Sequence, residues 1–429
     1  MKTMVIGLGP EYNYNVKNHS VWSNDNTKYA SNHGASLISR TLIEFFNADY
    51  IDDFSNIEYY KKEYDLCVIA FATHVTDWRD VSRYSEFVKA LGIKTIAFSL
   101  GIQDYAKASS NVNTIHPSLK KLLDYVIISS GFCGVRGPNT ASVLIKAGYK
   151  PENIIRLGCP TLFRPLKRGL KITKNQNFNK PLIVFHRTMA NLNKSLVDGA
   201  PLLGQDFLDE VIFNNGISNQ HKIKELELNR YSEHKNGSYT LEKVAENGVF
   251  YRTFEEWFNE IKKHDFVLGA RLHGCIAALI QGIPAVMIAR DIRVQEIAEF
   301  YKIPYIKYED VGNKTIQEIY EDANFDEFNK LYVHRFDNFI KLMDDLKVTD
   351  HLTFKKEIPD DYWFNKSDMN ADIRICYSDL KNLSLKVEGL SKKVNKLEIL
   401  STNIEKKTNK VLGLFKKIPG FKILKKIIK

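Results

Sequence analysis

The sequence predicts an α/β protein, with two doubly wound, Rossmann-like domains facing a cleft, then a helical coiled coil and an amphipathic tail. Three observations predict it. Short apolar runs alternate with helix-period segments through both halves of the chain, the pattern of sheet strands joined by crossover helices. Residues 266–291, FVLGARLHGCIAALIQGIPAVMIARD, read as strand, polar turn, small-residue helix and second strand, one complete βαβ unit. Residues 410–429 hold seven lysines and no acid, so the other 409 residues carry only +3 of the net +10. The basic balance therefore belongs to a tail and says little about the body.

In the first domain, residues 1–165, a strand over 4–9 runs into a GLGP turn. That turn lacks the third glycine of a dinucleotide fingerprint, which argues against a nicotinamide or flavin site. Residues 12–27 read as a loop. Asn32, His33 and Gly34 then lead into an amphipathic helix over 35–46. A glycine-bearing turn at a helix start can seat an anion or a sugar hydroxyl; His33 reads equally well as a capping or packing residue. Strands over 66–71 and 95–100 flank a helix over 80–91, residues 119–123 read as helical, and 126–129 as short and extended. Arg136 stands just before Pro138, which opens a helix over 139–147 that Gly148 stops. It reads either as an anion ligand or as an arginine tying two loops. A strand over 154–157 and the turn Gly158-Cys159-Pro160 close the domain.

Residues 166–180 form a linker to the second domain, 181–345. A strand over 181–185 delivers His186 and Arg187 to a sheet edge, and residues 190–240 are weakly patterned, either acceptor contacts or a surface insertion. A helix over 253–263 opens with Thr253 and Glu256 at capping-box spacing. The βαβ unit follows, then a helix over 294–301 and a strand over 303–305. Arg271 and His273, two residues apart, are expected to share one face of an extended segment. They sit at the carboxyl end of a strand, where open α/β sheets bind ligands. The other reading of His273 is a histidine packing the turn.

The RLHG–helix–GIP–strand pattern is preceded, in order, by Asn32-His33-Gly34, by GVRGPNTASVLIKAGY at 134–149 and by LGCPTLF at 157–163. Together these resemble the polysaccharide pyruvyltransferase family over residues 1–345. The resemblance implies a GT-B-like fold and transfer of the enolpyruvyl group of phosphoenolpyruvate onto a sugar as a ketal. Phosphoenolpyruvate is then a donor substrate and no cofactor is expected. Arg271 and His273 become the catalytic residues, with Arg187, Arg136, Asn32, His33, Gly34 and Gly274 binding substrate. The chemistry agrees with those residue types. A carboxylate and a phosphate call for arginines, and a histidine is the natural proton donor or shuttle near neutral pH. Two positions depart from the family pattern, Ala35 and Gly137, each standing where the family carries Asp. A GT-B glycosyltransferase using a nucleotide sugar is the alternative, with Asp291 or Glu296 to hold the ribose. A non-catalytic scaffold of a glycan-synthesis complex is the third reading.

Five scattered cysteines without CxxC spacing, Cys67, Cys133, Cys159, Cys275 and Cys376, point to reduced thiols in a cytosolic protein. No cluster has metal-ligand spacing, so no metal is expected. The first apolar run is too short for a signal peptide, and no run of about 18 apolar residues exists to span a membrane. After a linker over 346–378, Leu383, Val387, Leu390, Val394 and Leu397 step by four and three within a helix over 379–411. That seam predicts a homo-oligomer, or a single helix packing back on the body. Residues 412–429 interleave lysines with large aliphatics, which suits an anionic membrane surface. Nucleic acid is disfavoured, because the aliphatics favour lipid and no recognition fold is present. The sequence thus predicts a cytoplasmic protein peripheral at the inner face of the plasma membrane, with an acceptor that is lipid-linked or free.

Overall fold

The computed structural model describes residues 2–12, 29–30, 32–102, 115–164, 166–175, 178–186, 200–206, 209–210, 213 and 246–352. Tyr12 ends a short strand. The rest of the predicted loop over 12–27, Arg187, most of the 190–240 stretch, the coiled coil, the tail and Cys376 lie outside the described residues.

The first half contributes β1 (Thr3–Gly7), β2 (Glu11–Tyr12), β3 (Tyr29–Ala30), α1 (His33–Phe46), β4 (Asp49–Tyr50) and α2 (Ile57–Glu63). It continues through β5 (Leu66–Ala70), α3 (Ser82–Leu91), β6 (Lys94–Phe98), α4 (Pro117–Ser130), β7 (Cys133–Val135), α5 (Pro138–Lys146) and β8 (Ile154–Arg156). Strands β4-β1-β5-β6 form one sheet and β7-β8 a second pair, which a bridge between Leu100 and Val135 links to the end of β6. The second half supplies β9 (Pro181–Val184), β10 (Leu202–Leu203), β11 (Gly248–Val249), α6 (Phe254–Lys262), β12 (Phe266–Gly269) and α7 (Leu272–Leu279). After these come β13 (Ala285–Ala289), α8 (Ile292–Tyr301), β14 (Tyr305–Lys307), α9 (Ile316–Asp322) and α10 (Asp326–Asp345). Its sheet runs β11-β10-β9-β12-β13-β14.

All the pairings within both sheets are parallel. The chain is therefore α/β with parallel sheets, as its alternating pattern required. Strands β1, β5 and β12 are buried at every position. This is why they read as unbroken apolar runs and not as alternating ones.

One expectation changes. Residues 126–129 are not extended, because α4 runs unbroken from Pro117 to Ser130. Pro117 takes the first helical position, the His116 ring accepts from the Ser118 amide, and Gly131 closes the helix in the left-handed region. The β-branched run favoured a strand, but Leu119, Leu122, Leu123 and Val126 make one buried helical stripe and leave Ile128 83% exposed. The GLGP turn, for its part, is a packing device. Gly7 has φ +114, and a Cβ there would lie 2.4 Å from the Ala70 carbonyl oxygen of β5.

The end of the described chain returns to its beginning. Phe339 of α10 packs on Phe45, Phe98 and Phe163 with ring centroids 5.7, 6.0 and 5.2 Å away. His351 Nδ1 lies 2.8 Å from the Thr3 hydroxyl of β1.

Candidate functional site

Strand β12 ends at Gly269, and α7 begins at Leu272, inside the segment expected to be extended through His273. Arg271 is the extended residue before the helix and His273 already lies in its first turn. The two side chains therefore do not share the face of an extended segment. They part company.

Arg271 turns toward the loop after β10. Its Nη2 donates to Asp206 Oδ2 at 2.6 Å and Asp209 Oδ2 at 2.9 Å, and its Nε donates to the Phe185 carbonyl at 3.2 Å. All three side chains are buried, at 10% exposure or less. This guanidinium is matched by two carboxylates of its own chain, which makes it a clamp on Asp206 and Asp209.

His273 turns the other way. Its Nε2 lies 3.5 Å from Cys159 Sγ, and its ring rests against Gly34, where a Cβ would stand 2.8 Å from Nδ1. Burial, and then the nearby charge of Arg136, hold the imidazole well below its usual pKa, so it is neutral at pH 7. Gly274 does a separate job: a Cβ there would meet Val184 of β9 at 2.4 Å, so the glycine lets α7 lie close on the sheet.

Asn32 and His33 are structural in their contacts. Asn32 Oδ1 accepts from the Gly34 amide at 2.7 Å and from Gln205 Nε2 at 3.0 Å, tying the start of α1 to the second sheet. His33 is fully buried between Tyr12, Phe250 and Trp257, with ring centroids 4.7, 5.7 and 5.2 Å away. Its Nε2 lies 2.7 Å from the Tyr251 carbonyl, and burial pushes its pKa down to about 4.

Arg136, between β7 and α5, is 4% exposed. Its Nε donates to Ser99 Oγ at 3.1 Å, while Nη2 has no hydrogen-bond partner among the described residues. Burial lowers its pKa, with Cys159 acting against it, the charge of Arg293 acting with it and Glu296 again opposing. Ser99 holds φ +64, an uncommon conformation for a residue with a side chain, and it also reaches Cys159 Sγ at 3.6 Å. Arg136, Ser99, Cys159 and His273 thus form one buried cluster, fed by the carboxyl ends of four strands, β6, β7, β8 and β12.

Beside this cluster stands the start of α8. Asp291 caps the helix through the Arg293 and Val294 amides and pairs with the Arg290 and Arg293 side chains at 2.9 and 2.7 Å. Burial acts to raise the Asp291 pKa, but these bonds leave it below the carboxylate range. Arg290 Nη1 lies 3.4 Å from His186 Nδ1. Glu296 Oε1 accepts from the Thr140 amide of α5 at 2.7 Å, and Oε2 accepts from the Thr140 hydroxyl at 3.0 Å.

The structure thus brings Gly34, Arg136 and His273 together, diverts Arg271 to a clamp, and leaves Arg187 outside the described residues. Sequence reading missed Ser99 and Cys159, although both sit at strand ends it had marked. It had no means of finding Asp206 and Asp209, which lie in the unpatterned stretch.

With that geometry in place, the family model described as polysaccharide pyruvyl transferase matches residues 32–292, from the Asn32 turn to the start of α8. The chain belongs to the polysaccharide pyruvyl transferase family. Membership makes it a transferase of polysaccharide chemistry, and the matched span holds every residue of the buried cluster. No curated protein matches this chain. Among solved structures it is similar to the UDP-GlcNAc 2-epimerase from Neisseria meningitidis bound to UDP-GlcNAc, with 11% identity, 80% of this chain and 100% of that one covered, and a TM-score of 0.39. The UDP-GlcNAc 2-epimerase of Methanocaldococcus jannaschii is similar at 14% identity, covering 80% and 99%, with a TM-score of 0.39. Anabaena Alr3699/HepE, in complex with UDP and glucose, is similar at 10% identity, covering 81% and 99%, with a TM-score of 0.40.

Proposed function

We propose that this protein moves the enolpyruvyl group of phosphoenolpyruvate onto a sugar of a cell-surface glycan precursor, forming a pyruvate ketal. The observation that carries the reading is the buried cation Arg136. It forms no ion pair among the described residues, its Nη2 is unpartnered, and His273 stands close enough to feel its charge. A buried, unpaired charge is costly, and a bound carboxylate or phosphate relieves that cost. The arginines at the start of α8 add positive field beside it, since Arg293 weighs on Arg136.

A neutral His273 is suited to take the proton of the attacking sugar hydroxyl. The oxygen bonds to C2 of phosphoenolpyruvate while the C2–C3 π pair takes up a proton at C3, which becomes a methyl group and balances the proton removed from the first hydroxyl. A second hydroxyl of the sugar then bonds to C2, and phosphate leaves with the C2–O electron pair and carries off that hydroxyl's proton. An anion on Arg136 offsets the charge that helps depress His273, so its basicity rises when donor binds. Donor and acceptor are the only small molecules the reaction needs, with no cofactor or metal.

The nucleotide-sugar alternative is less well supported, because Asp291 and Glu296, its ribose-holding candidates, are engaged in capping two helices. The basic tail favours work at an anionic membrane on a lipid-linked acceptor, and the heptad seam favours a homo-oligomer. Among the described residues no helix is long and apolar enough to cross a membrane.

Isothermal titration of the full chain with phosphoenolpyruvate and with UDP-sugars tests the reading. Wild type is expected to bind phosphoenolpyruvate, and Arg136→Gln to bind it at least about tenfold more weakly, the worth of a charge-assisted bond. His273→Ala is expected to retain binding and lose transfer. Binding of a UDP-sugar in place of phosphoenolpyruvate would move the assignment to a glycosyltransferase, and silence toward both would leave the scaffold.

A further inference from the structure

Helix α5 starts without a cap of its own. Its N-cap residue is Gly137, which offers no side-chain hydrogen bond. The missing acceptor arrives from the other sheet's helix. Glu296 of α8, 1% exposed, takes the Thr140 amide and the Thr140 hydroxyl. It also occupies the room a side chain at 137 would need, because a Cβ there would lie 2.4 Å from Glu296 Cγ and 2.8 Å from Cδ. Gly137 has φ −176, a conformation open to any residue, so space and not backbone strain requires the glycine.

The consequences reach Arg136 by two routes. Arg136 immediately precedes Gly137, so fixing the first turn of α5 fixes where its side chain departs. The second route runs through Thr140 Oγ1, which accepts from the Ile102 amide at 3.3 Å while donating to Glu296. Gly101, next to Ile102, forms the wall of the arginine, since a Cβ at 101 would lie 2.8 Å from Arg136 Cδ.

We propose that Glu296 is the positioning residue for Arg136, a helix cap supplied from across the two sheets, and that Gly137 is the space this cap requires. The carboxylate that caps α5 is delivered from 296 and not from the N-cap position 137. This rests on the reading of Arg136 as the donor's anion-holding residue.

The test is a relocation of the carboxylate in the full chain. Phosphoenolpyruvate affinity by calorimetry and thermal unfolding are measured for wild type, Arg136→Gln, Glu296→Gln, Glu296→Ala, Gly137→Asp and the double variant Gly137→Asp/Glu296→Ala. Glu296→Ala is expected to weaken binding about fivefold or more, the effect of losing a helix cap. Glu296→Gln keeps an acceptor for the Thr140 amide and should stay within about threefold of wild type. Gly137→Asp alone collides with Glu296 and weakens binding at least as much as Glu296→Ala. The double variant caps α5 from its own N-cap and should bind better than either single variant, a rescue that loss of packing alone would not give. Wild-type binding with Glu296→Ala unchanged, or a double variant no better than the singles, overturns the proposal. If wild type does not bind, or Arg136→Gln binds as wild type does, the anion reading has failed and the positioning role fails with it.

Discussion

His33 is a neutral imidazole enclosed by three aromatic rings, and its pKa of about 4 compares with an ordinary value of 6.5. Between those values the unfolded chain takes up a proton that the folded one refuses. Stability is therefore full above pH 6.5 and falls as the pH drops toward about 4, by on the order of 3 kcal/mol for this residue alone. His273 and His351 are depressed in the same direction and steepen the fall. Urea unfolding at pH 7, 6 and 5 should show this slope, and His33→Phe should flatten it by nearly one proton. At this scale the sequence was only partly legible. His33 was marked, yet the residues that decide its state, Tyr12, Phe250 and Trp257, lie up to 224 positions away. The partners of Arg271 were illegible for the same reason: Asp206 and Asp209 are 65 and 62 positions from it. A cation at a strand end looks like an anion site until its own anions are found.

Elements were legible where their ends carry chemistry. Strand β13, the second strand read within residues 266–291, falls between Pro284 and Arg290, and α5 begins at Pro138, because a proline and a charged residue punctuate an apolar run. The start of α7 was read late, since Arg271 makes no side-chain capping bond and the usual start signal is missing. Thr253 shows the signal half realised. Its hydroxyl accepts from the Glu256 amide at 3.2 Å, but the Glu256 carboxylate takes the Thr253 hydroxyl at 2.6 Å and leaves the cap amide alone. Helix α4 failed on composition, where β-branched residues outweighed a buried stripe. The stripe makes a direct prediction. Leu122→Ala should cost about 2–5 kcal/mol in chemical unfolding, whereas Ile128→Lys should stay within about 0.5 kcal/mol. Comparable losses from both would mean that residues 126–129 are not on the outer face of a helix.

For the molecule as a whole, the motifs serve assembly as much as chemistry. The Asn32 turn is bound to Gln205, Arg271 holds the loop at Asp206 and Asp209, and Glu296 caps α5. Arg271→Ala takes one cation, held at 2.6 and 2.9 Å, away from two buried carboxylates and should lose about 3–5 kcal/mol. A melting curve close to wild type would show that the clamp contributes little, and loss of transfer in that variant means little without the curve. The alternation of strands and helices made the α/β class legible, but not which half each helix completes. Tyr301 shows the difference. Its buried hydroxyl donates to the carbonyls of Leu157 and Cys159, and Gly158 at φ +75 leaves room for its ring. Phe339 and His351 reach back in the same way, to Phe163 and to Thr3. On a ribosome adding about 5–20 residues per second, those partners emerge on the order of 10 s after the first half has been made. Through that interval the nascent first half carries an unclamped turn and bare aromatic faces, a natural client for a holding chaperone. Expressed alone, it would stay in that unfinished state.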